Sequence, residues 1–467
     1  MRLASLLGPD LKQILKEDPS QLKDLLDEIH AEDLADIIGD LEPDEAAQLL
    51  AQLPAEDAAD IFERLEEHEQ GELVDIMPPE SVAQIASEMA PDDRADFFSL
   101  LPEAVGDRLM ETLERVDPKA AEDVREIEKW PNTSAGHLMT TDYVHVSPDV
   151  IVSEAIDAVR MHARDRNQPI YNVYAMHNDE KLVGIASLRD LLLSQPYQRL
   201  GELLRTNIIS VPPELDQEEV ARRMAKYDLN VMPVIDETGV LLGVITIDDI
   251  VDVLTQEQTE DIQKLGAVEP LDLPYFQTTF WTFIRKRGVW LVVLFAEEFF
   301  TQTALRYYDP VFDAIKGASY YVPLLISTGG NSGSQSSTLV IRGMAVGEIR
   351  PKDWWRIFIR EMGMGLVLGL LLASIGFLRV LMYRDQGFPF AFTIALTLVG
   401  IVMTGCTVGS MLPLILKRAG IDPATSSTPF IASLVDVLGI IIFVHAAKLV
   451  MASVIAAHHV QVMAPCP

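Results

Sequence analysis

The sequence predicts a multidomain chain: an all-α helical-repeat domain (1–130), an α/β module in two tandem copies (131–199 and 200–255), a connecting helix (256–287) and an all-α five-helix transmembrane domain (288–460). Three observations carry this prediction. A hydrophobic residue recurs every twelve positions through the first third of the chain. A block of motifs near residue 136 returns 65 residues later. The C-terminal region holds uncharged runs of 25 residues between Lys316 and Arg342 and of 31 between Asp385 and Lys417, against about 20 residues needed to cross the hydrocarbon core.

Charge is distributed unevenly over the 467 residues. The net charge is −33, and residues 1–130 hold 36 acidic against 11 basic side chains, so most of the excess lies in the N-terminal third. Such a surface argues against nucleic acid, whose binding needs a basic face. It permits divalent cation binding, or simple solvation of an outer face. Cys406 and Cys466 are the only cysteines, too few for a disulfide framework, and there is no CxxC metal pattern. The first twenty residues, MRLASLLGPDLKQILKEDPS, show no apolar core followed by a small-residue cleavage site. The first half is therefore expected to stay in the cytoplasm.

Ile29, Leu41, Leu53, Leu65, Met77, Met89, Leu101 and Leu113 mark the twelve-residue period, and prolines follow at Pro43, Pro54, Pro78, Pro91 and Pro102. Proline suits the first turn of a helix, where its missing N–H is not needed. Each unit reads as about two turns of helix plus a corner, too short to persist alone. Stacked units share a continuous core.

In the next segment Gly136-His137-Leu138-Met139 recurs as Gly201-Glu202-Leu203-Leu204, and Val146-Ser147-Pro148 as Val211-Pro212-Pro213. Helical patterns follow (SEAIDAVRMH, EEVARRMAKY), then apolar strands (NVYAMH, VMPVID) and the closing runs GIASLRD and GVITIDD. Strands alternating with helices mean βαβ-type packing. The tandem resembles a pair of CBS domains, which implies a regulatory unit able to take an adenine nucleotide such as ATP; no dedicated phosphate loop is present. A helical stretch with Asp252, Glu257, Glu260 and Asp261 connects this module to the membrane domain. Gly266, Pro270 and Pro274 should interrupt it before the Arg285-Lys286-Arg287 cluster that precedes the first apolar run.

The spans are expected at about 288–306, between Lys316 and Arg342, at 358–382, between Asp385 and Lys417, and at 427–456. Basic residues gather between the second and third spans (Arg342, Arg350, Lys352, Arg356, Arg360) and between the fourth and fifth (Lys417, Arg418). Positive-inside then puts the N-terminus in the cytoplasm and the C-terminus outside, as in a multi-pass protein of the plasma membrane. The second span contains GGNSGSQ (329–335), small and polar, which favours close helix packing over direct ion ligation. The first span holds Glu297 and Glu298. In the last, Asp436 is the one acid between Pro423 and Ala447. A charge at that depth costs about 2.5–3.5 kcal/mol on insertion scales and commonly marks an ion or proton path. The alternative is an acid at a span end, or one paired with a basic residue on another helix.

The acidic repeat, the tandem pair, TEDIQKLGAV (259–268), YYVPLLISTGGNSGSQSSTLVIR and GSMLPLILKRAGIDPATSSTPFIASLVDV occur in the order of, and together resemble, an MgtE-type magnesium channel. The resemblance implies a homodimer in the lipid membrane, Mg2+ as both transported and regulatory ion, and closure when internal Mg2+ is high. It assigns the pore carboxylate to Asp436, with Ala432 and Thr428 one and two turns earlier, backbone carbonyls there completing the site. It assigns regulatory metal sites to Asp228, Asp249, Asp252, Glu257, Glu260 and Asp261, with Asp422 at the cytosolic mouth and Asp92 or Asp93 in the repeat. Ala432-Ser433, Glu297-Glu298 and Gly405-Cys406-Thr407 depart from the family's pattern. Two other readings of the residues stay open, a proton- or sodium-coupled carrier and a non-conducting membrane-anchored sensor. No nucleophile–base pair suggests an enzyme, and His458-His459 reads as a surface end.

Overall fold

The computed structural model describes residues 29–456 apart from 166–169, 178–179, 272, 274, 277 and 384–386. The first 28 residues, Pro274, Asp385, His458-His459 and Cys466 lie outside the described residues. Two compact units divide at Leu254/Thr255.

In the first unit the twelve-residue period becomes a helix pitch. Helices α1 (Ala31–Gly39), α2 (Pro43–Leu50), α3 (Ala55–Phe62), α4 (Glu67–Ile76), α5 (Pro79–Glu88), α6 (Pro91–Leu100) and α7 (Glu103–Val116) each begin twelve residues after the last, and α8 (Pro118–Ile127) closes the set. Pro43, Pro79 and Pro91 occupy the first helical position, while Pro54, Pro78 and Pro102 stand just before it. Both placements use proline where no N–H is required. All eight periodic residues join one core, with Phe62 and Phe97 packed edge to face at 5.3 Å. Inside that core Arg94 is fully buried, and its guanidinium donates to the carbonyls of Ala86 (2.6 Å), Met89 (2.6 Å) and Ala120 (3.1 Å). It satisfies the open carbonyls at the end of α5, so burial does not leave the charge without partners.

The tandem module follows. The first copy contains β1 (His145–Val146), α9 (Val152–Asp165), β2 (Asn172–Met176), β3 (Leu182–Ser187) and α10 (Leu188–Leu193). The second contains α11 (Gln217–Tyr227), β4 (Val231–Ile235), β5 (Leu241–Thr246) and α12 (Ile247–Leu265). β1 pairs parallel with β2, β2 antiparallel with β3, and β4 antiparallel with β5. The second copy keeps its first strand only as a parallel Val211–Val234 bridge. Both hairpins slip register at matching positions, Ala175/Met176 and Val234/Ile235.

The connecting helix is shorter than the expected 256–287. α12 begins inside the second copy and stops at Leu265, where Gly266 and Ala267 (φ 57°) turn the chain. Helix resumes at Phe280, capped by Thr279, whose hydroxyl accepts from the Thr282 amide at 3.3 Å. Residues 280–287 thus belong to the first membrane helix.

The second unit holds five long helices: α13 (Phe280–Ala314), α14 (Val322–Ala345), α15 (Trp354–Leu381), α16 (Phe388–Arg418) and α17 (Thr428–Val450). Among the described residues four helical stretches are long and apolar enough to cross a membrane: Phe280–Ala314, Pro351–Leu381, Phe388–Arg418 and Thr428–Val450. The helix outside that set, α14, is long enough, but its Gly-Ser-Asn segment lowers its apolarity. The segment has a packing role. A Cβ on Gly405 would stand 2.5 Å from the Gly329 carbonyl oxygen, and one on Gly409 would overlap that of Gly333. Gly365 and Gly369 on α15 likewise meet the backbone of Met403 and Val399 on α16. α16 is therefore the central helix, approached backbone to backbone from two sides. Replacing Gly405 by Val should destabilise the membrane unit by about 1–3 kcal/mol or more, as overpacked cores do. A fall in the melting temperature of the detergent-solubilised chain checks this, and an unchanged melting temperature would contradict the packing.

Candidate functional site

Asp436 lies in the third turn of α17 and is half-buried. Ser427 caps that helix, its hydroxyl accepting from the Phe430 amide at 3.4 Å, and Pro429 stands in its first turn. Gly330 of α14 packs on Ala432, and a Cβ there would come within 4.0 Å of Asp436 Oδ1. Small residues on the two helices therefore bring the α14 backbone beside the carboxylate. Its other side borders an open groove of about 700 Å3, lined by Leu291, Leu294 and Glu298 of α13 and by Ala432, Ser433 and Asp436 of α17. Among the described residues no basic side chain pairs with Asp436, which removes the ion-pair alternative within this unit.

Ala432 and Thr428 sit where the sequence places them, four and eight residues before Asp436. α17 is continuous from Thr428, however, so the helical ladder takes the carbonyls of this turn. The Thr428 carbonyl also accepts from Ser334 Oγ at 3.4 Å. The carbonyls of this turn are thus already engaged within the helix, while the Asp436 side chain lines the groove.

Asp422 is tied on both oxygens. Oδ1 accepts from the Ala424 amide at 2.9 Å and Oδ2 from Lys264 Nζ at 2.6 Å. Lys264 also pairs with Glu260. Burial works against the Lys264 charge, but the hydrogen bonds to Asp422 and Glu260 outweigh it and raise its pKa. Two of the expected metal-binding acids thus share one ammonium group that the sequence reading did not single out, which offsets one of their two charges.

The first unit brings other acids together. A cavity of about 520 Å3 is lined by Asp60, Glu63, Asp92, Asp93, Asp249 and Asp252, with Arg64 among the few cations. Arg64 is occupied by Asp60 at 2.8 Å. Asp249 accepts from the Thr246 hydroxyl at 2.7 Å and so closes the first turn of α12. Burial and then Asp92 push its carboxyl up to about 8. Burial also raises Asp93, reinforced by Glu63 and Asp249, and it raises Asp92, reinforced by Asp93. Asp92 Oδ1 is buried without a hydrogen-bond partner. Asp93, Asp249 and Asp252 therefore meet as the sequence suggested, and Glu63 joins them, which the sequence reading missed: it is one glutamate among many on a periodic acidic face. Asp228 does not join them. It is exposed and ends α11 in the left-handed conformation (φ 51°). Glu257 and Asp261 lie further along α12. Among the described residues no three acidic, histidine or cysteine side chains stand in ready-made metal geometry, so any ion here would draw the carboxylates inward or be held through water.

Three family models match the chain: an MgtE intracellular N domain at residues 18–133, CBS domains at 135–196 and 200–256, and an MgtE divalent cation transporter at 322–446. The magnesium transporter MgtE of Thermus thermophilus is 40% identical over 340 residues, covering 73% of this chain and 75% of the relative. The Bacillus subtilis magnesium transporter MgtE is 30% identical over 337 residues, covering 72% of each. A crystal structure of the soluble part of a magnesium transporter superposes with a TM-score of 0.51 at 27% identity, covering 54% of this chain and 99% of that one.

The raised carboxyls set a pH dependence. A free aspartate ionises near 3.9, whereas Asp249 in the fold ionises at about 8. Between those values the folded chain holds a proton that the unfolded chain has released, so stability falls as pH rises through the window. The contribution is full below about pH 4 and lost by about pH 8. In chelator the melting temperature should be higher at pH 5.5 than at pH 8, and a saturating divalent cation should shrink the difference. Equal metal-free melting temperatures would show that the acids do not strain one another.

Proposed function

The chain belongs to the MgtE family of divalent cation transporters, and we propose that it conducts Mg2+ across the membrane past Asp436, with its acidic cytosolic unit closing the path when internal Mg2+ is high. The observation that carries this reading is Asp436 itself: a carboxylate in an apolar helix, without a basic partner among the described residues, bordering an open groove. Mg2+ prefers octahedral oxygen and gives up water reluctantly. With the α17 carbonyls engaged in the helix, the carboxylate would hold the ion through its waters. That suits conduction, since binding must attract the ion and still release it. We read the functional unit as a homodimer with one Asp436 from each protomer. Positive-inside supports a cytoplasmic N-terminus and an outward C-terminus, with five spans including the polar α14.

Regulation is read from the acidic cavity. Asp92, Asp93, Asp249 and Glu63 share one cavity, where burial and then mutual repulsion raise the carboxyl pKa values of Asp92, Asp93 and Asp249. A divalent ion among them removes that repulsion and draws the helical repeat and α12 together. Switching a population from 1:99 to 99:1 needs about 5.5 kcal/mol of differential binding, within reach of a few ions shared by several carboxylates. α12 carries Asp249 and Asp252 at one end and, at the other, Lys264, which is bonded to Asp422 beside α17. It is one continuous helix, suited to carry the state of the cavity toward the membrane helices.

Two measurements test the reading. In liposomes containing the full chain, Asp436→Asn should cut Mg2+ flux at least tenfold; wild-type flux in that variant would reject the path. The double variant Asp93→Asn/Asp249→Asn should keep conducting at cytosolic-side Mg2+ concentrations that shut the wild type. Inhibition unchanged from wild type would remove the cavity from the control of transport.

A further inference from the structure

Positive-inside accounts for the number of basic residues near the ends of α14, α15 and α16, but not for their arrangement. Lys352 stands in the short 3-10 turn Pro351–Asp353 that leads into α15, and Arg356 and Arg360 follow, each four residues after the last. Residues four apart share a helix face, and all three are exposed. The face that α15 packs on α16 runs instead through Glu361, Gly365 and Gly369, all buried. Among the described residues none of the three cations is in an ion pair. The acids nearest in sequence are engaged elsewhere: Asp353 Oδ2 accepts from the Arg350 amide at 3.2 Å, and Glu361 Oε2 from the Ser336 hydroxyl at 2.7 Å.

Depth makes this column unusual. α15 begins at Trp354, and at 1.5 Å per residue Arg360 stands about 9 Å further along its axis. Trp354 and Trp355 are exposed, and Trp355 stacks on Phe358 with ring centroids 5.5 Å apart; tryptophans of this kind mark the headgroup level of a span. From Met362 to Leu378 the helix carries no charge. Arg360 therefore sits at the edge of the hydrocarbon on an outward face, where a charge without a counter-ion is costly. Past it the same side continues through Gly363, Val367 and Leu370. Val367 and Leu370 are exposed, and a Cβ on Gly363 would meet nothing within 4 Å. Ile357 packs against the buried cluster of Val340, Ile341, Met344 and Leu414, which fixes this end of α15 to α14 and α16. The cations are thus held on a packed helix, at the head of an open apolar strip.

We propose that Lys352, Arg356 and Arg360 hold the headgroup phosphate of an anionic phospholipid whose acyl chains lie along Gly363, Val367 and Leu370. Charge complementarity names the occupant. A guanidinium presents its donors in a planar fork that matches two phosphate oxygens, and two such forks one helical turn apart bracket a single phosphodiester. Lys352, nearer the water, adds a point charge for the net negative charge that an anionic lipid keeps and a zwitterionic one cancels. The apolar strip below the forks selects a lipid over a soluble phosphate, which has nothing to lay there. The site is independent of the reading that places Asp436 in the ion path.

The test uses the full chain in vesicles of mixed phosphatidylcholine and phosphatidylglycerol. Brominated acyl chains on one lipid or the other quench tryptophan fluorescence and report the relative affinity. The wild type should prefer phosphatidylglycerol about fivefold, and Arg356→Gln/Arg360→Gln should bring that preference close to one. Lys417→Gln/Arg418→Gln, which removes the same charge from the end of α16, should keep most of it. Equal losses in the two double variants would show a general positive field and overturn the proposal. No preference in the wild type would overturn it as well; a changed oligomeric state in Arg356→Gln/Arg360→Gln would then assign the face to a second copy of the chain. Excess glycerol phosphate should leave the lipid preference intact, and its loss would reject a lipid in favour of a soluble phosphate. Should the double variant fail to assemble as judged by size-exclusion chromatography, an unchanged preference in Arg360→Gln overturns the proposal instead.

Discussion

Gly329 and Gly333 on α14 meet Gly405 and Gly409 on α16 backbone to backbone, and the position of Asp436 depends on that contact. No side chain separates the two helices at this level, so α14 is held deep against the central helix. Its neighbouring glycine, Gly330, then reaches Ala432 and the Asp436 carboxylate on α17. In lipid, helices gain little from burying apolar surface against one another, and close approach of small residues supplies the attraction instead. The polarity that makes α14 a poor span by composition is what allows three helices to converge on one acid. The Gly405-Cys406-Thr407 departure retains the glycine where the contact needs it.

Two groups of carboxylates occupy opposite regimes. In the first unit, Asp92, Asp93 and Asp249 crowd one another in a half-buried cavity, and the strain appears in their raised pKa values. In the second, Asp436 stands without a basic partner among the described residues, beside an open groove. Crowding suits an ion that is held and changes a conformation. Isolation suits an ion that passes. In the second unit Lys264 also binds Glu260 and Asp422, so the two acids share one fixed positive charge.

Much of the fold was legible because its periods are physical. The twelve-residue repeat became the interval between helix starts, from Ala31 to Glu103, and the duplicated motifs became two hairpins with the same register slip. Asp436 could be found from sequence because a charge in an apolar helix is costly wherever it is placed. Partnerships across space were less legible. Arg94 looks like any other charge of an acidic repeat, yet it is buried and bonded to backbone carbonyls, those of Ala86, Met89 and Ala120 among them. Lys264 and Asp422 are 158 positions apart. Asp228 carries the right chemistry but ends its helix facing solvent. The break in the connecting segment was legible in Gly266, whereas the resumption of helix at Phe280, which joins residues 280–287 to the first long helix of the second unit, was not.

The central claim is that fixed helices present a carboxylate to a passing, still-hydrated divalent ion, without a coupled step. The most direct measurement is the reversal potential of the Mg2+ current through the purified chain in a planar bilayer, under imposed Mg2+, proton and sodium gradients. Reversal at the Mg2+ equilibrium potential, indifferent to the other two gradients, is expected. A reversal potential that moves with the proton or sodium gradient would contradict a fixed path and make Asp436 a coupling site.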